Sequence, residues 1–234
     1  VLIPNVTNGP NAINVLGQSD YTSSATSVTA NQLGGVNQNV TYVPSLDKLF
    51  VSSYNSDRVL VFDVATIVDG ENAVNVLGQP DFTSSGDAII TQSSLYNPNK
   101  VVYDSVNQRL FITNESASRI TIYDLSNGIT NGMNASYVLG RPDFNGASWG
   151  VNKLYTSSVH GLAFDQANQR LYGTSHNSFI VIWDFSADLT TTTPILASVD
   201  TTPDYVFNTN AGGNVTYGGS CSSATTVATS GNNT

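Results

Sequence analysis

A short segment recurs along the chain at a nearly constant interval. Val76-Leu-Gly-Gln-Pro-Asp-Phe82 is preceded by Val15-Leu-Gly-Gln-Ser-Asp-Tyr21 and followed by Val138-Leu-Gly-Arg-Pro-Asp-Phe144, and the second interval is the longer by a single position. A fixed period, carried by short apolar runs, is the signature of a repeat architecture, in which each unit buries its apolar surface against its neighbour. Any fold proposed for the chain must therefore be built of similar units.

Each unit contains four strand-like stretches. In the second they are Lys100–Asp104, Arg109–Thr113, Arg119–Asp124 and Tyr137–Gly140. All are rich in β-branched and aromatic residues and are bounded by turn formers. Tyr42, Leu49, Arg58 and Asp63 stand one full period before Tyr103, Leu110, Arg119 and Asp124. In the third unit Phe164, Leu171 and Asp184 take the places of Tyr103, Leu110 and Asp124, and Phe179 replaces the arginine. Leu49, Leu110 and Leu171 are therefore expected to be buried equivalents. Four antiparallel strands repeated at one interval describe the blade of a β-propeller. The fold expected is all-β: three four-stranded blades in an open arc, followed by part of a second β domain.

Asn107-Gln-Arg-Leu-Phe-Ile-Thr-Asn-Glu-Ser-Ala-Ser-Arg-Ile-Thr-Ile-Tyr-Asp124 resembles the NHL repeat, and Ser56–Asp63 matches the second half of that pattern. The resemblance covers about residues 1–188 and implies a propeller. It does not imply one function, because such propellers include binding platforms and some enzymes. The tail changes character over residues 189–201, which read as a linker around Thr190-Thr-Thr-Thr-Pro194. Residues 202–234 resemble the first half of an immunoglobulin-like domain found in tandem in large bacterial surface proteins. The resemblance rests on Thr202-Pro-Asp-Tyr-Val-Phe207 and on the Gly-Ser-Cys-Ser-Ser run around Cys221. It implies a second cysteine downstream. A degenerate fourth blade is the other reading, with Pro203-Asp-Tyr205 echoing Pro80-Asp-Phe82. Aligning Asn11–Gly17 with Asn72–Gly78 puts Val1 opposite Phe62, inside a strand. The expectation is an internal piece of a longer secreted protein, whose blades associate edge to edge.

Charge narrows the partners. Only 11% of residues are charged, against roughly 25% in an average soluble domain, and the net charge is −9 with eight Lys plus Arg. No basic stripe is present to neutralise phosphates, so nucleic acid is not an expected partner. No run reaches the ~18 apolar residues of a bilayer span, so membrane insertion is not expected. Asn, Ser, Thr and Gly take the place of charges, a balance that points to a secreted or cell-surface location. The single cysteine, Cys221, leaves no internal disulfide framework and no Cys-based zinc site.

Candidate site residues come from the repeat. Tyr54, Glu115 and His176 share one position, the turn between the second and third strands of each unit. Chemistry that changes from unit to unit at a place the fold leaves unspecified suits recognition. Trp149 sits in a connection and is the tryptophan expected at the surface, whereas Trp183 occupies the aromatic slot of Phe62 and Tyr123. His160 and His176 have neither His-x-x-x-His spacing nor an acidic cluster fixed to them, so neither a metal nor a cofactor is expected. The repeated Asp63, Asp124 and Asp184 at strand ends read as hydrogen-bond acceptors that close the strand. The function expected is a non-enzymatic binding or adhesion module facing a protein or glycan. The alternatives are a propeller enzyme of the lyase or hydrolase kind, which would need metal-binding histidines, and a purely structural surface-layer or fibre repeat.

Overall fold

The structure is a computed structural model that describes residues 11–35, 37–86, 89–145, 158–186, 189–191, 207–209, 212–214, 227–229 and 231–233. Trp149, Cys221 and the alignment of Val1 to a strand lie outside them. Among the described residues there are strands, two short 3-10 turns and no α-helix, and no helix long and apolar enough to cross a membrane.

A small hairpin, β1 (Val28–Thr29) with β2 (Gln32–Leu33), comes first. The first sheet is β3 (Asn37–Val43), β4 (Lys48–Ser53), β5 (Arg58–Asp63) and β6 (Asn75–Leu77), in chain order and antiparallel. The second is β7 (Pro98–Asp104), β8 (Arg109–Asn114), β9 (Arg119–Asp124) and β10 (Tyr137–Leu139). The third contains β11 (Val159–Asp165), β12 (Arg170–Ser175) and β13 (Ile180–Asp184). These strands do not close into a ring.

The register repeats with the sequence. Leu49 faces Phe62 as Leu110 faces Tyr123, and Lys48 faces Asp63 as Arg109 faces Asp124. Val59 pairs with Leu77 and Ile120 with Leu139, so the extra position in the second interval falls between β9 and β10. Hairpin turns repeat too. Asp47, Gln108 and Gln169 all take left-handed backbone, with φ of 47°, 52° and 51°. Asn and Asp tolerate that region better than most residues, and polar side chains serve there in all three turns.

The main core lies between the first two sheets. Phe50, Val59, Val61 and Leu77 meet Val101, Leu110, Ile112 and Tyr123. On the other face of the first sheet, Val51, Leu60, Phe62 and Val76 form a smaller cluster with Leu16 and Leu33. Leu110 and Leu171 are fully buried, as expected. Leu49 is only half-buried. Strand alternation turns it toward the smaller cluster, where less apolar surface covers it, while its neighbour Phe50 takes the buried side.

The second and third copies of the recurring Val-Leu-Gly segment supply the last strands of the first two sheets, β6 and β10, and all three copies turn the chain at their glycine. Gly17, Gly78 and Gly140 have φ of 83°, 89° and 79°. A Cβ on Gly78 would lie 2.7 Å from the Asp57 carbonyl and from Leu95, so glycine is required on both counts. The aspartate that follows then caps the turn. Asp81 accepts from the backbone amides of Thr83 and Ser84, both at 2.8 Å. The Thr83 amide and hydroxyl, then those of Ser84, hold its carboxyl down at about 2.

Two buried arginines fasten the long connections. Arg58 donates to the carbonyls of Thr29 and Gln32 at 3.2 and 2.8 Å and to that of Phe82 at 2.5 Å. Arg119 donates to the carbonyls of Thr91 and Ser94 at 2.9 and 2.7 Å, and to that of Phe144. Each guanidinium therefore ties the end of one connection to the start of the next. In the third repeat Phe179 stands in this place and has no donor to offer.

Toward the C-terminus, contacts divide the chain into two compact units, the second comprising residues 167–171 and 183–234. In it β14 (Leu189–Thr191) and β15 (Phe207–Thr209) pair, and β16 (Gly213–Asn214) pairs with β17 (Val227–Ala228). The last strand, β18 (Gly231–Asn233), pairs with β15.

Candidate functional site

The turns between second and third strands are alike in the backbones of the first two repeats. The third is one residue shorter, its Ser178 amide donating to the Ser175 carbonyl at 3.3 Å. The Asp57 amide donates to the Tyr54 carbonyl at 3.4 Å and the Ser118 amide to that of Glu115 at 3.0 Å. Asp57 and Ser118 are left-handed, with φ of 51° and 48°. The Glu115 amide donates to the Asn97 carbonyl at 3.2 Å and the His176 amide to that of Ser158 at 3.0 Å, so Glu115 and His176 are true structural equivalents. The backbone closes these turns, and the side chain at the shared position is free to vary.

Those side chains meet. Tyr54 lies near Glu115 across the first two repeats. Burial raises the Tyr54 phenol above its ordinary pKa, and the Glu115 charge adds to the effect. Glu115 Oε2 accepts from Asn99 Nδ2 at 3.3 Å and lies 3.5 Å from His160 Nδ1. On the far side of the same imidazole, His160 Nε2 is 3.3 Å from His176 Nδ1. The two rings are tilted by 48°, with centroids 5.4 Å apart. Tyr54, Glu115, His160 and His176 thus form one line of polar side chains across three repeats.

Three of the four residues expected to contact ligand are in this line. The fourth, Trp149, lies outside the described residues. Asn99 and His160 are not among those expected residues, yet the repeat carries a signal for both. They stand one full period apart and lie at the entry of a first strand, which pairs with the end of the second. Pro98, for example, is opposite Asn114. First-strand entry and second-strand exit therefore belong to one edge, and residues there are neighbours of the turn.

No group of three His, Cys, Asp or Glu side chains converges in a metal-holding arrangement among the described residues. The repeated strand-end aspartates have other partners. Asp63, Asp124 and Asp184 accept from the amides of Ala65, Ser126 and Ser186 at 3.1, 2.9 and 2.9 Å. Asp63 also pairs with Lys48 and Asp184 with Arg170, both at 2.9 Å.

At the opposite end of the first strands lies an open groove of about 620 Å³, with Tyr42, Tyr103 and Phe164 along it and Lys100 beside them. These aromatic residues share one position in the three repeats, and Phe164 stacks on Phe111 with centroids 5.2 Å apart.

The chain matches no protein-family model, and no curated protein is similar enough to serve as a relative.

Proposed function

We propose that this chain is an extracellular, non-enzymatic binding module whose sheets are propeller blades in an open arc, presenting one edge to a protein or glycan. The observation that carries this reading is the meeting of Tyr54, Glu115 and His176 in one line, together with Asn99 and His160. A phenol, a carboxylate, an amide and two imidazoles offer both donors and acceptors over several ångströms, the mixture that reads hydroxyls and peptide groups. The aromatic groove at the other end of the same strands offers stacking surfaces for a second contact.

The propeller part of the proposal draws on three things: two four-stranded meanders in identical register, first strands lying side by side, β3 by β7 and β7 by β11, and the resemblance to NHL repeats. The immunoglobulin-like reading of residues 202–234 is part of the same proposal, with the tail spacing the module from the cell.

The test is a glycan array and a panel of purified surface and matrix proteins, probed with the whole chain and with Tyr54→Phe, Glu115→Gln and His176→Ala. A true ligand should lose at least tenfold in affinity with two or more variants whose melting is unchanged. A ligand indifferent to all three would place recognition elsewhere.

A further inference from the structure

The pair His160 and His176 has a geometry that the recognition reading does not use. Two nitrogens bound to one tetrahedral zinc, each at roughly 2.0–2.1 Å, are about 3.3–3.4 Å apart. His160 Nε2 and His176 Nδ1 are 3.3 Å apart. The remaining nitrogen of His160 faces the Glu115 carboxylate at 3.5 Å. A carboxylate beside one imidazole nitrogen favours the proton on that nitrogen, so the other presents its lone pair. That other nitrogen is the one turned to His176. The carboxylate is itself oriented by Asn99, which donates to it at 3.3 Å. The two imidazoles thus offer two nitrogens at ligand spacing, with a carboxylate behind one of them.

We propose that His160 Nε2 and His176 Nδ1 bind a divalent transition-metal ion of the zinc type, with Glu115 acting as a positioning residue behind His160. Two protein nitrogens leave at least two of four positions for water or for donors from a bound partner. Imidazole selects zinc, copper or nickel over calcium and magnesium, which prefer all-oxygen sites. The alternative use of the pair is a direct imidazole–imidazole hydrogen bond, which takes up no metal.

Calorimetric titration of the whole chain with ZnCl2 separates the two. The expected result is one equivalent bound, with affinity lowered at least tenfold by His160→Ala and by His176→Ala. Glu115→Gln should weaken binding by about tenfold, the lower end of effects at such supporting positions. Co2+ in place of zinc should give the intense visible bands of a tetrahedral site, absent from both histidine variants. If His176→Ala melts early, His176→Gln keeps volume and polarity and serves instead. No binding, or stoichiometric binding unchanged in the histidine variants, overturns the proposal. The titration uses no partner, so its failure leaves the recognition reading untouched, and a failed ligand screen leaves the metal site untouched.

Discussion

Arg119 shows most directly why a charged residue belongs inside this protein. Burial pushes its guanidinium down to about 10, still charged at neutral pH. The cost of desolvation is met by carbonyl acceptors on two sides, Thr91 and Ser94 on one and Phe144 on the other. Hydrogen bonds from charged donors contribute about 1.5–3 kcal/mol each, and orphaned buried acceptors cost about 1–3 kcal/mol. Allowing for the desolvation that the variant avoids, Arg119→Met should lower stability by roughly 2–4 kcal/mol. Arg119→Lys should not restore it, because one ammonium cannot span acceptors on both sides of a planar fork. Urea denaturation measures both. A loss below about 0.5 kcal/mol, the range of ordinary surface substitutions, would show that the clamp is incidental.

At the scale of single elements, equivalent strands need not be equally buried. Leu110→Ala, in the core between the first two sheets, should cost about 2–5 kcal/mol. Leu49→Ala, on the half-covered face, should cost about 1 kcal/mol or less. Equal losses, read from chemical denaturation, would contradict the difference in packing. This contrast marks what the sequence could disclose. The period located β8 and β9 almost to the residue, because β-branched and aromatic runs bounded by turn formers recur at one interval. It could not say that Leu49 would be less covered than Leu110, since that depends on what stacks against each sheet. The very short β1–β2 hairpin was hidden in a Ser- and Thr-rich stretch. The arginines were visible only as strand-opening residues, because their partners are carbonyls some 24 to 29 positions away, and main-chain acceptors carry no letter. Tyr54, Glu115 and His176 could be recognised as equivalents. Their meeting through His160 needed the sheets to be laid side by side.

For the whole molecule, the third sheet sets the expected behaviour in solution. Ile120 and Ile122 in β9 are 0% and 3% exposed, whereas their counterparts Ile180 and Ile182 in β13 are 65% and 59% exposed. An apolar strand face of this kind is a known route to association. Sedimentation velocity should show concentration-dependent self-association that Ile180→Lys with Ile182→Lys reduces. A monomer at every concentration would refute it. The arginine clamps have a different consequence. Arg58 holds one end of the connection between the first two sheets, at Phe82, and Arg119 holds the other, at Thr91 and Ser94. Both grip main-chain oxygen, which every amino acid supplies. The span between the two grips is thus secured by address and not by spelling. Its side chains can be rewritten by drift, selection or an engineer's library while the frame stays shut, much as a picture rail holds whatever is hung from it.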